Sequence, residues 1–317
     1  AFQTAVPQLV RQSPTGELEA ADTRIEAEFS AAIDADLLSA ETVQITREGE
    51  ALTPVDPRFD PATNILSFEL EDGLKPGSRY GVVIDALLAG PLRAINDGDF
   101  AWAFQTAVPQ LVRQSPEGEA TTVGEEIEAE FSAAIDEDLL DIAGAVQVAR
   151  QGEIQTIDEA EFDDETNVLS IRLADDFKPG ALYEVVLDGL LAGPLRAVAA
   201  GDFTWQFRTP VPELTASTPT DGQVDIATAA NAIAAVFDNP VDAEILLQSG
   251  SVTAFKSGAE IEIAGLEYIS ETRTARFTVA AGLRAGTAYQ VRIAAAAGGP
   301  RRQSDYTWDF QTAIPAL

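Results

Sequence analysis

The densest set of side chains that could do chemistry is a carboxylate run, with Asp158, Glu159, Glu161, Asp163, Asp164 and Glu165 inside one short stretch. Two chemistries use such groups. A calcium ion takes six to eight converging oxygens, commonly with a glycine where the loop turns sharply. A pair of carboxylates flanking a glycosidic bond can hydrolyse it. The sequence favours neither. A matching stretch upstream, Asp56-Pro57-Arg58-Phe59-Asp60, places an arginine and a proline among its carboxylates, with Pro61 next. No liganding set is therefore shared between the copies, and the run reads as a solvated acidic turn. Catalysis needs a concave site on loops specific to one place, and the loops of this chain recur.

Other chemistry is removed by composition. Histidine and cysteine are both absent, so the usual general base, the commonest metal ligand and all thiol chemistry are missing. A Ser-His-Asp arrangement is ruled out, and no glycine-rich phosphate loop sits between a strand and a helix. We assign no catalytic, cofactor-binding or metal-ligating residue, no cofactor and no enzymatic activity. The 52 acidic residues against 20 basic ones leave a net charge of −32. Such a surface repels nucleic acid and anionic membrane. No apolar run approaches the eighteen or so residues that cross a bilayer, so membrane insertion is not expected. The only lysines are Lys75, Lys178 and Lys256. Salt adaptation and the coding bias of a GC-rich genome both fit this acidic, lysine-poor surface. The lack of cysteine and methionine suits exposure outside the cell, and the missing initiator methionine fits a processed or excised chain.

What positions these residues is a repeat. AFQTAVPQLVRQSP at 1–14 recurs unchanged at 103–116. Phe100, Trp102 and Phe104 return as Phe203, Trp205 and Phe207, and again as Tyr306, Trp308 and Phe310. LKPGSRY at 74–80 returns as FKPGALY at 177–183 and LRAGTAY at 283–289, and LLAGPLRA occurs at 87–94 and 190–197. Three bodies are expected, at 8–107, 108–210 and 211–317, with 1–7 left over.

Each body reads as short strands between turns. Ile25, Ala27 and Phe29 alternate with Glu26 and Glu28, the period of a half-buried strand. Thr42–Arg47, Ile65–Leu70 and Tyr80–Ile84 follow suit. Asp60 to Asn64 forms a turn in which asparagine tolerates positive φ. A helical turn is expected within 31–39, with Ser30 as its cap. Some seven strands per hundred residues predict an all-β chain of three immunoglobulin-like Greek-key sandwiches. A blade or solenoid repeat would have a period of about 20–50 residues. Tyr80, Tyr183 and Tyr289 follow the Pro-Gly or Ala-Gly step and suit a tyrosine corner, with buried rings and hydroxyls returned to upstream backbone. Trp102, Trp205 and Trp308 share one equivalent core position. Arg93 and Arg196 in the LLAGPLRA segment are expected to cap or pair locally.

The order of these motifs resembles a known family. Ser13-Pro14, the strand end Phe29-Ser30-Ala31-Ala32-Ile33-Asp34, the Asp60–Asn64 turn, Leu74–Tyr80 and the closing Phe100–Thr106 together are similar to the bacterial Ig-like domain of the surface-layer SbsA type, often called Big_5. The third copy departs, with Asn239-Pro240-Val241-Asp242 and Glu271–Thr274 at two of these places. The resemblance implies a secreted or cell-surface bacterial protein whose modules serve as spacers, stalks or lattice parts. It speaks to fold more than to function.

Two features go beyond the repeat. Glu26 and Glu28, and Glu128 and Glu130, become Ala234 and Val236 in the third copy. Regions 8–107, 108–210 and 211–317 carry 18, 22 and 12 acidic residues against 7, 6 and 7 basic ones. A contact face and ordinary drift both account for this. The closing strand also occurs once too often, because Phe2-Gln3-Thr4 has no body before it. It is either the stub of a preceding module or a donor strand for head-to-tail self-association. The expected role is structural, as a spacer, stalk or filament-like segment whose partners are its own neighbouring modules. An adhesin module for carbohydrate or protein, and an accessory region of a polymer-degrading enzyme, are the alternatives. With no liganding set common to the copies, excess EDTA should leave the melting temperature unchanged. A large fall reversed by Ca²⁺ would overturn the metal-free reading.

Overall fold

The computed structural model describes residues 6–18, 24–39, 41–120, 126–229 and 231–314. Apolar residues at every second position build sheets that bury one face each. In the first module the strands are β1 (Leu9–Ser13), β2 (Gly16–Leu18), β3 (Ile25–Phe29), β4 (Val43–Arg47), β5 (Glu50–Leu52), β6 (Pro54–Asp60), β7 (Ile65–Leu70), β8 (Arg79–Ile84) and β9 (Phe100–Thr106). They form one sheet in the order β1-β3-β7-β6 and another in the order β2-β9-β8-β4-β5. The chain crosses between sheets at Pro14, so that β1 runs antiparallel to β3 while β2 runs parallel to β9. The other two modules repeat both sheets strand for strand. Each module therefore has nine strands among the described residues, two more than the sequence pattern suggested. The extra ones, β2 and β5, are edge segments of three residues, too short to show a period.

The cores hold the residues that alternation selected. Ile25, Ala27 and Phe29 face Leu66 and Phe68 across one sheet, and Val43, Ile45, Val82 and Ile84 come from the other. Phe29 meets Phe100 edge-on at 5.2 Å, and Phe131 and Phe203 repeat the contact at 5.4 Å. Tyr80, Tyr183 and Tyr289 are buried and stack on Phe104, Phe207 and Phe310. The tryptophans do share one position, but they are not equally covered. Trp102 is half-buried, while Trp308 is only 1% exposed. Trp102 Nε1 donates to the Pro14 carbonyl at 3.2 Å and Trp205 Nε1 to that of Pro116 at 3.1 Å. Trp308 Nε1 is buried without a partner among the described residues.

Local structure corrects one expectation and adds a helical segment. The helical turn is a short 3₁₀ segment, Ala35–Leu37, capped by Asp34 and not by Ser30. The Ser30 hydroxyl instead accepts the Gln8 amide at 3.0 Å, tying down the entry to β1. The LLAGPLRA segment is helical: a 3₁₀ segment Ala86–Ala89 runs through Gly90, at φ +96°, into the helix Pro91–Asn96. Proline suits the first helical position and only glycine readily takes that φ.

The Ala234 and Val236 face also has a local explanation. Arg11 opposes Glu28 across the β1–β3 ladder and pairs with it at 3.0 Å, and Arg113 pairs with Glu130 at 2.9 Å. In the third module Val236 opposes Ala216. Both partners of the cross-strand pair thus differ from the other copies, an exposed alanine opposite a half-buried valine.

Tyr183→Ala should destabilise the middle module by about 3–5 kcal/mol, as truncation of a buried aromatic does. Tyr183→Phe, which strands the Lys178 amide, should cost about 1–2 kcal/mol. Denaturant titration of both variants checks this, and an unchanged midpoint in the alanine variant would refute the structural role of the ring.

Candidate functional site

The part of the molecule with specific, repeated polar geometry outside the cores is the joint between modules. It begins at the turn between β7 and β8. The Tyr80 hydroxyl accepts the Lys75 amide at 2.8 Å, and Thr106 Oγ1 accepts the Ser78 amide at 2.9 Å while donating to the Lys75 carbonyl at 2.7 Å. Tyr183 and Thr209 do the same for Lys178 and Ala181. Pinned from both sides, the corner turns outward at Gly77 and Gly180, with φ of +51° and +58°. Their amides donate to the Ala107 and Pro210 carbonyls, both at 2.9 Å, which binds each corner to the linker that follows it.

The outward corner of one module presses on the Gly-Pro step of the next. A β-carbon on Gly77 would lie 2.2 Å from the Ala192 carbonyl oxygen, and one on Gly193 would lie 2.1 Å from that of Pro76. The Leu195 amide donates to the Gly77 carbonyl across this joint at 2.9 Å. At the second joint a β-carbon on Gly299 would lie 1.8 Å from the Pro179 carbonyl oxygen. Only glycine permits these approaches.

Lysine seals each contact. Lys75 Nζ reaches Asp136 Oδ1 at 2.9 Å and also binds Asp138, while Lys178 Nζ lies 2.9 Å from Glu244 and 3.6 Å from Asp242. The Lys75 and Asp136 side chains are only 18% and 14% exposed. Burial opposes the charge on Lys75 and on Lys178, yet their bonds to the carboxylates outweigh it and hold both above the ordinary lysine value. Bonds from the same lysines hold Asp138 and Glu244 below the usual carboxylate range. Arg301 adds an ion pair to Glu119 at 2.8 Å across the second joint.

A family model described as a bacterial Ig-like domain, Big_5, matches residues 3–106, 106–209 and 210–312. The chain belongs to that family. Among solved structures, extracellular domains 3–5 of Drosophila OTK align over 98% of this chain and 99% of theirs, at 11% identity and a TM-score of 0.23. The S-layer protein rSbsC(31-844) aligns over 99% of this chain and 55% of its own, at 10% identity and 0.24. CopC from Methylosinus trichosporium OB3b aligns over 33% and 98%, at 12% identity and 0.25. No curated protein matches the chain. The assignment of these Ig-like modules rests on the family match and the strand order.

Most residues that the sequence singled out lie elsewhere. The tryptophans, Ala234 and Val236 belong to the sheets, and Phe2, Gln3 and Thr4 lie outside the described residues. Arg93 and Arg196 cover Phe100 and Phe203 at 4.2 and 4.0 Å and donate to the Gly98 and Gly201 carbonyls. In the acidic run, Asp163 accepts the Glu165 amide at 2.8 Å, Glu159 pairs with Arg172 at 2.8 Å, and no metal-ligating cluster forms among the described residues. A cleft of about 420 Å³ opens at the first joint, between Asp72, Lys75, Asp136 and Asp164. A second of similar size lies on the third module over Phe255 and Gln290. Of the joint, the sequence marks the Pro-Gly corner and its tyrosine but not the lysine–carboxylate contacts, although two of the three lysines fall at equivalent places in the Lys-Pro-Gly motif.

The Asp138 and Glu244 contributions are present above the ordinary carboxylate range and fade as pH falls through their lowered values; the lysine contribution fades as pH rises through its raised one. Module order should therefore hold between about pH 4 and 10 and loosen outside that window before the sheets unfold. Residual dipolar couplings across the pH range would show this, and joints that stay rigid until global acid unfolding would refute it. Gly193→Ala should disturb the first joint, whereas Gly90→Ala, with a similar φ but open space within the chain, should leave that joint's residual dipolar couplings unchanged.

Proposed function

We propose that this chain is a non-catalytic, stiff-jointed spacer, a stalk or surface-layer segment of a secreted or cell-surface bacterial protein. Its working units are taken as 8–107, 108–210 and 211–317. The observation that carries this reading is that both joints are built the same way, with a pinned glycine corner, a facing Gly-Pro or Gly-Gly-Pro step and a lysine between carboxylates. Freely hinged modules would need none of these. The linker supports it as well: Ala107, Val108 and Pro109 separate the closing strand from the next module, proline fixes φ, and the residue before it is held extended. No helix among the described residues is long and apolar enough to cross a membrane. The absence of cysteine and methionine and the strongly acidic surface suit a module exposed to an oxidising medium.

Because cysteine is absent, spin labels can be placed at Glu50→Cys and Glu260→Cys alone. Pulsed dipolar spectroscopy should give one narrow distance distribution, and small-angle scattering an elongated particle of about 100–130 Å, from strands rising about 3.3 Å per residue plus loops. A broad distribution or a compact particle would refute the stiff spacer.

A further inference from the structure

The third and first modules each carry half of a further joint. On the third module, the Gly286 amide donates to the Ala313 carbonyl at 2.9 Å and φ is +60°, as at Gly77 and Gly180. The Tyr289 hydroxyl accepts the Arg284 amide at 2.7 Å, and Thr312 accepts that of Thr287 at 2.9 Å. The corner is thus set in the joint-forming geometry, with arginine in place of lysine. Yet Arg284, Ala285 and Gly286 are all exposed, whereas Gly77 and Gly180 are buried.

The first module carries the opposite half. Gly90 has φ +96°, close to +93° at Gly193 and +86° at Gly299, but a β-carbon on it would meet nothing within 4 Å among the described residues. Asp34 and Asp36 stand where Asp136 and Asp138 bind Lys75. The Asp34 amide donates to the Leu88 carbonyl at 2.7 Å, and Asp136 donates to Leu191 at the same distance, so the backbone is set alike on the two modules; the Asp34 carboxylate accepts the Asp36 amide at 3.2 Å, a bond absent at Asp136, which binds Lys75 instead. Asp34 and Leu92 are exposed, while Asp136 and Leu195 are half-buried.

We propose that these two halves meet between copies of this chain: the Arg284-Ala285-Gly286 corner of one copy seats on the Asp34, Asp36 and Gly90 face of a second. Continuity with the internal joints supports this, since the same backbone geometry is already filled twice within the chain. Charge supports it too. The corner offers a guanidinium to two carboxylates, and the module that carries it has the fewest net charges, with 12 acidic and 7 basic residues. Alanine in place of Pro179 keeps the carbonyl on which the close contact depends. The contact is head-to-tail and does not close on itself, so it adds copies end to end. It goes beyond a spacer role within one chain. Without the three-residue tether that raises effective concentration inside the chain, it is weak and concentration-dependent.

The test is sedimentation velocity on the intact chain in 0.15 M salt, from micromolar to about 1 mM, the range where a short tether's effective concentration lies. The sedimentation coefficient should rise with concentration. Asp36→Lys and Arg284→Glu should each weaken association at least about tenfold, because each sets like charges against each other. Their melting temperatures should match the parent, which shows that both variants fold. Mixing the two variants should restore association, because the lysine introduced in one copy then faces the glutamate introduced in the other and the reciprocal contact is unaltered. A sedimentation coefficient that stays flat throughout would overturn the proposal while leaving the spacer reading intact. Association that persists unchanged in both single variants would assign it to another surface and overturn the proposal equally.

Discussion

Two hydroxyl groups set the shape of everything beyond the individual sandwich. Tyr80 and Thr106, and their counterparts in the other copies, hold the turn before the eighth strand by its own backbone. A turn fixed in this way cannot relax when another module approaches. It offers a bare glycine and an oriented carbonyl as a rigid knob, and the adjoining module receives it on a second glycine. The tyrosine ring buried beneath the turn also joins the knob to the core, so the stability of one module and the order of the joint depend on the same side chain.

Electrostatics complete the contact in a chain that otherwise repels itself. With a net charge of −32, two acidic modules brought together would push apart. Each internal joint places one lysine between two carboxylates of the next module, and burial of the lysine with one of them, Asp136 or Asp242, limits screening of that pair while Asp138 and Glu244 stay exposed. Isolated surface ion pairs contribute little, typically about 0–1 kcal/mol. Here the pair acts with a backbone contact that glycine alone allows, and its larger effect is to set the direction in which the corner points.

Within the sandwiches, apolar packing carries what disulfides carry in antibody domains. The position two residues after the corner tyrosine, which holds a cysteine in those domains, is Val82, Val185 or Val291, and all three are fully buried. The third module differs from the other two on the outer face of one sheet and around its tryptophan. It has Ala216 opposite Val236 where the other copies pair arginine with glutamate, and it carries a pair of its own, Arg276 with Glu267, on the same sheet. Its tryptophan makes no bond to a proline carbonyl such as receives the other two, and it is more deeply buried.

The number of modules, the sandwich class and most of each core were legible in the residues alone, because these follow from local periodicity: Ile25, Ala27 and Phe29 must share a face wherever the strand lies. Proline and glycine before a tyrosine marked the corner in the same way. The two edge strands, the helical character of the LLAGPLRA segment and the Asp34 cap were beyond such reading, since three-residue strands and single-turn helices have no period. The joints arise only from the packing of folded modules. Lys75 and Asp136 are 61 residues apart and belong to different modules, and nothing in the spacing of either reports the other. Their meeting depends on the angle at which one sandwich follows the next. That angle is set where Gly77 and Gly193 touch, a contact that exists only once both modules have folded.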